Sequence, residues 1–336
     1  MANGENPILV EIWRGDTVES RHRGAAVVMD ASGRIEAQWG DISVPVFPRS
    51  AIKSVQALAL VESGAADEFS VKAPELALAC ASHNGEPRHA TAVAAWLGRM
   101  GLGLGDLECG AHAPYYGPAH EAMIAAATTP TSAHNNCSGK HAGMLAVALK
   151  LGADTSGYIR PDHPVQRRVR AILSQMCGYD HESAPMATDG CGIPTYAAPL
   201  TALARARARM ADPRALAPPR VVASARIRAA IAAHPDMVAG TGRFCTEIMA
   251  ASGARILVKT GAEGVFAAAL PESGLGIALK IDDGGTRASE CAMAVLLARH
   301  APGAADEALA KYGHRVLHNW AGATVGAVRP AARWLG

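Results

Sequence analysis

The chain has no uninterrupted apolar run of the roughly 18 residues a membrane-crossing helix needs, so none is expected. Its N-terminus, MANGENPILVEIW, lacks a basic segment followed by an apolar stretch, so no secretory signal peptide is expected. No basic block or stripe stands out among 32 basic and 30 acidic residues, which excludes a nucleic-acid footprint. Seven cysteines, an odd number with no Cys-x-x-Cys and no secretion signal, point to reduced thiols in a cytoplasm. Lysine is scarce. Only Lys53, Lys72, Lys140, Lys150, Lys259, Lys280 and Lys311 occur; 7 of the 32 cations are lysine and the other 25 arginine. Arginine is the default cation here, so each lysine is more informative, because lysine can lose its proton in a protein and arginine cannot. What is present is a globular composition, 49% hydrophobic and 18% charged over 336 residues, enough to bury a substantial core.

Strand patterns cover 8–13, 25–30 and 34–39, with a turn at Asp30-Ala31-Ser32-Gly33. Phe47-Pro48-Arg49 reads as a loop. From Ser50 to Gly64 the apolar residues Ile52, Val55, Leu58, Leu60 and Val61 recur at helical spacing. Further helices are expected over 86–100, 119–127, 139–151, 163–177, 197–211, 221–233, 243–252 and 286–300. Strands are expected over 255–259, 264–270 and 275–281. Strands at both ends and helices between predict an α+β chain: one antiparallel sheet built from the N- and C-terminal parts, flanking helices, and a mostly helical lobe. No repeat or linker divides it. A single domain over 1–336 is expected, with sheet parts at about 1–48 and 253–336 and a helical middle at about 49–252.

Ser50 stands where a loop hands over to a helix, near free backbone N–H groups that can hold an oxyanion. Lys53 follows one turn later on the same face. A lysine in a drying pocket can take a serine proton. Taken alone, Ser-x-x-Lys is a weak signal and reads first as a helix cap and a solvated charge. Lys259-Thr260-Gly261 closes an expected strand, and Ser82-His83-Asn84 lies between the two in chain order. Ser-x-x-Lys, Ser-x-Asn and Lys-Thr-Gly are the elements of penicillin-recognising serine enzymes, though their spacings here are not those of a β-lactamase.

Cys80, Cys177, Cys245 and Cys291 sit among apolar neighbours and read as small hydrophobes; Cys109 is ambiguous. Cys137 and Cys191 lie in glycine-rich polar turns where a thiolate would be reachable. Two thiolates in one cleft suit zinc, with His134, His141 or Asp189 as the conventional third ligand. A redox pair and ordinary turn cysteines are the rival readings.

With these segments together, the chain resembles the rhizobial-type L-asparaginases, the asparaginase II family. The matching blocks are PRSAIKSVQ (48–56), CASHNGEPRH (80–89), HNNCSGKHAGML (134–145), TDGCGIPTY (188–196), GTGRFCTEIM (240–249) and VKTGAEGVF (258–266). The resemblance implies the serine β-lactamase/glutaminase-like fold, a homodimer, and L-asparagine as substrate. It implies two serine–lysine tandems, Ser50 with Lys53 and Ser82 with Lys259. It also implies a zinc ion held by Cys137, Cys191 and Lys140, the last as a neutral amine. Arg49, Asn84, Asp189 and Gly190 are expected near the substrate, whose ammonium and carboxylate need opposite charges. A glutaminase, a β-lactam hydrolase, and a non-catalytic binding protein on the same scaffold are the alternatives.

Overall fold

A computed structural model describes residues 5–334. Residues 1–4 and 335–336 of the expected 1–336 domain lie outside the described ones. Among the described residues ten strands form: β1 Ile8–Arg14, β2 Thr17–Asp30, β3 Ile35–Trp39, β4 Met186–Thr188, β5 Pro194–Tyr196, β6 Leu257–Thr260, β7 Val265–Leu270, β8 Leu275–Ile281, β9 Arg315–His318 and β10 Thr324–Pro330. Eight of them make one antiparallel sheet in the order β6-β7-β8-β2-β1-β10-β9, with β3 paired to β2. Both ends of the chain therefore supply one sheet, as the α+β reading expected.

β2 starts eight residues before the expected 25. Its apolar half, Gly24–Asp30, pairs with β8, and its polar half, Thr17–Arg23, pairs with β1. The polar half forms a half-exposed ribbon whose strand character comes from the backbone ladder, so apolar patterning does not reveal it. β9, β10 and the helix Asp306–Gly313 follow the last element expected from the pattern. β9 is largely exposed and β10 carries a glycine and a terminal proline, both poor strand signals.

The helix Leu200–Ala211 packs across β2, β7 and β8. It can do so because of Gly276 on β8: a Cβ there would lie 2.1 Å from the Ala204 carbonyl oxygen and 2.3 Å from the Ala208 nitrogen. The helix Thr286–His300 packs against β1, β8 and β10. The middle of the chain is the expected helical lobe, including Ala73–Ala79, Pro87–Arg99, Ser138–Lys150, Pro164–Cys177 and Pro218–Ala233. Its centre buries Trp96, Leu58, Leu78 and Leu145 completely. Gly139 lets Ser138–Lys150 approach the end of Ala73–Ala79; a Cβ would sit 2.4 Å from the Leu78 carbonyl oxygen.

The expected helix after Arg49 forms in three pieces: a 3-10 turn Arg49–Ile52, then α-helix over Lys53–Gln56 and Leu58–Glu62. Its first turn lies against β6 and β7. That contact brings the lobe and the sheet edge together. Among the described residues no helix is long and apolar enough to cross a membrane.

Candidate active site

Arg49 has a positive φ of 48°, rare for a residue with a Cβ. The backbone is bent there immediately before Ser50, which is half-buried. The Ala51 N–H is spent on the Pro48 carbonyl, 3.0 Å away, and the Lys53 N–H on the Ser50 carbonyl. Of the N–H groups expected to stabilise an oxyanion, the Ser50 N–H itself has no acceptor among the described residues. The Ser50 hydroxyl likewise has no hydrogen-bond partner among them.

Lys53 turns inward and is buried. Its Nζ donates to the Ala81 carbonyl, to Ser82 Oγ at 3.0 Å and to Cys137 Sγ at 3.1 Å. Lys259, on the edge strand β6, reaches the same hydroxyl from the other side, Nζ to Ser82 Oγ being 2.8 Å. Ser82 thus stands between two lysines. Burial, and then the neighbouring Lys53 charge, pull Lys259 down to about 7. An amine of that value is largely neutral at physiological pH and competent as a base. Lys259 also donates to the Thr260 carbonyl at 2.8 Å. The expected pairs are therefore joined unevenly: Ser82 is hydrogen-bonded to both lysines, and Ser50 to neither.

The path continues through sulfur. Beyond Lys53 lies Cys137, in contact with Cys191, whose Sγ is 3.0 Å from Lys140 Nζ. Both cysteines are buried, so the expectation of reachable turn thiolates is corrected. Cys137 caps the helix Ser138–Lys150, which the Gly139 approach seats deep in the lobe. The two thiols share one charge. The Cys191 contact and burial push Cys137 up to about 11; the Cys137 hydrogen bond and the Lys140 cation pull Cys191 down to about 4. Burial opposes the Lys140 ammonium, yet the two sulfurs hold it above its ordinary value.

Among the described residues no three His, Cys, Asp or Glu side chains gather as a metal site. The conventional third ligands are engaged elsewhere. His134 Nδ1 faces Thr131, His141 Nδ1 lies 2.6 Å from the Tyr158 hydroxyl, and Asp189 Oδ1 accepts from Arg49 Nε at 2.8 Å. Cys137, Cys191 and Lys140 remain. Two sulfurs and a nitrogen in one buried pocket fit a thiophilic divalent cation such as zinc, provided the cation displaces the Lys140 proton.

Arg49, Asp189 and Gly190 are brought together. The Arg49–Asp189 ion pair is backed by the Gly190 N–H, 2.7 Å from Asp189 Oδ1, and Gly190 borders the Arg49 guanidinium. The hairpin of β4 and β5 presents this loop. Asn84 is buried and its amide is engaged: Nδ2 donates to Thr241 O at 3.0 Å and to Glu86 Oε1 at 3.3 Å, and Oδ1 accepts from Arg243 at 2.8 Å. Arg243 is the site cation that sequence reasoning missed. It lies inside the quoted GTGRFCTEIM block, where its arginine could have been singled out. Arg207, also missed, is buried behind Lys53 and Lys259; nothing in the local sequence of a helix rich in alanine and arginine marks it.

The family model for L-asparaginase II matches residues 10–330. Among solved structures, a β-lactamase from Mycobacterium bovis is similar at 12% identity, covering 86% of this chain and 94% of that one, with a TM-score of 0.38. No curated protein is similar enough in sequence to count as a match.

Proposed function

The chain belongs to the L-asparaginase II family, and from that premise we propose that it hydrolyses the side-chain amide of L-asparagine to L-aspartate and ammonia, with Ser50 as nucleophile. The observation that carries this is the hydrogen-bonded path Lys53–Ser82–Lys259, 3.0 and 2.8 Å, beginning one helical turn beyond a half-exposed serine. Two buried lysines this close cannot both hold a proton cheaply. Ser82, bonded to both, links them, so that a proton accepted at Lys53 is relayed through its hydroxyl to Lys259, whose lowered value favours the neutral amine. Ser50 Oγ attacks the amide carbon and its proton passes to Lys53. The tetrahedral oxyanion takes the Ser50 N–H. Collapse breaks the C–N bond, Lys53 returns the proton to the leaving nitrogen, and ammonia departs. Water then adds to the β-aspartyl ester, giving up its proton to the same path, and Ser50 recovers its own as aspartate leaves.

Asp189 offers a second carboxylate oxygen to the substrate ammonium, and Arg49 beside it faces the carboxylate, with Gly190 leaving room. Asn84 acts through Arg243. A zinc ion held by Cys137, Lys140 and Cys191 supplies Lewis-acid polarisation or orientation of substrate when bound. The same proposal includes a homodimer and a cytoplasmic enzyme, as the family resemblance implies.

The test is ammonia release from purified Ser50→Ala and Ser82→Ala, with L-asparagine and L-glutamine in parallel. Ser50→Ala is expected to lose at least about 1,000-fold in kcat, and mass spectrometry of quenched wild-type enzyme to place the acyl group on Ser50. Near wild-type turnover by Ser50→Ala, or an acyl group on Ser82, refutes the assignment.

A further inference from the structure

Arg207 is buried, with no carboxylate partner among the described residues. Its Nη1 donates to Ser54 Oγ at 2.5 Å and its Nη2 to the Leu257 carbonyl at 2.6 Å. Its Nε has no partner among the described residues. The titratable groups that act on it are the buried thiols Cys80 and Cys245, which burial keeps protonated and neutral. A guanidinium in such a place is costly, and a well-packed apolar side chain of similar volume serves stability as well or better. Its two bonds fall on the residue after Lys53 and on the residue two before Lys259.

These are the only elements that carry the two amines on Ser82, one on the lobe and one on the sheet edge. Resting on the serine–lysine reading above, we propose that Arg207 is a positioning residue that sets the distance between Lys53 and Lys259 by cross-linking the nucleophile helix to strand β6. It touches neither substrate nor reacting atoms. The helix Leu200–Ala211 that carries it is itself held at a fixed height above β8 by Gly276. The lysine spacing is thereby referred to the sheet. A displacement of about 1 Å in this spacing is enough to lower turnover about 100-fold without affecting substrate binding.

The test compares Arg207→Met, Arg207→Lys and Ser54→Ala with wild type. Arg207→Met is expected to melt at or above the wild-type temperature while kcat falls about 10- to 100-fold and KM stays within about twofold. Arg207→Lys, able to keep one bond, is expected to recover part of that loss. A crystal structure of Arg207→Met is expected to show the Lys53–Ser82–Lys259 distances lengthened. Unchanged kcat with unchanged distances overturns the proposal. So does a loss of kcat that merely follows a lower melting temperature and is not relieved by Arg207→Lys. Should Arg207→Met fail to fold, Ser54→Ala decides: a severalfold lower kcat at unchanged melting temperature supports the clamp, and unchanged kcat overturns it. Failure of the nucleophile reading shows separately, as wild-type ammonia release by Ser50→Ala with the lysine spacing still altered in Arg207→Met.

Discussion

On the proposed mechanism, Lys259 gives the reaction its pH dependence. Its value falls from the ordinary 10.5 to about 7 because the folded protein disfavours the ammonium. In the proposed mechanism the neutral amine is the working base, so kcat/KM is expected to rise with pH through about 7 and level off above; a flat profile between about pH 6 and 8 refutes this role. The same depression makes stability depend on pH: the contribution is full above about 10.5 and is lost as pH falls through about 7. Lys259→Met is expected to lower kcat by about 100- to 10,000-fold, read by the same assay. At the sulfur end, Cys137→Ser is expected to abolish zinc retention on elemental analysis; full occupancy refutes that site. Sequence reading identified Ser50, Lys53, Ser82 and Lys259 by motif, and the structure brings the last three into one hydrogen-bonded path. It missed Arg243 and Arg207. Their roles depend on what lies across the fold from them, Asn84 in one case and Ser54 with Leu257 in the other, and no local pattern encodes that.

Elements were legible where apolar periodicity is strong. Leu200–Ala211, Pro164–Cys177, Thr286–His300 and the hairpin β7–β8 all appeared within a few residues of their expected limits. The polar half of β2, the exposed β9 and the small β4–β5 hairpin did not, because their order comes from backbone pairing and from what covers them. The contact between Leu200–Ala211 and β8 was equally invisible, though it hangs on one residue. Gly276→Ala is expected to cost about 1–3 kcal/mol, since the new methyl meets Ala204 and Ala208 backbone. Because the helix must lift, kcat is also expected to fall, as Arg207 is pulled from Ser54. Thermal melting with ammonia release checks both; a Gly276→Ala protein that melts as wild type refutes the close-packing account.

Taken whole, the molecule is a sheet assembled from distant parts of the chain with a lobe threaded between them. β1 is flanked by β2 on one side and β10 on the other, Val10 standing opposite Pro330. Trp334 packs edge-on against Trp39 at 5.9 Å. Deleting residues 314–334 is expected to open the β1 edge and turn the protein into aggregates on gel filtration; a monodisperse folded truncation refutes that. The antiparallel sheet of paired ends was foreseeable from strand patterns at both termini, but the strand order was not, since pairing partners leave no mark on either segment alone. That order has a consequence in time. A ribosome makes β1 and β2 early and Lys259 only after the whole lobe. The helix that carries Ser50 and Lys53 is therefore complete long before Lys259 exists. On the proposed mechanism the nascent chain is born inert, and β1 waits with one edge open until Pro330 has emerged, a window in which a chaperone or a wrong strand competes for it.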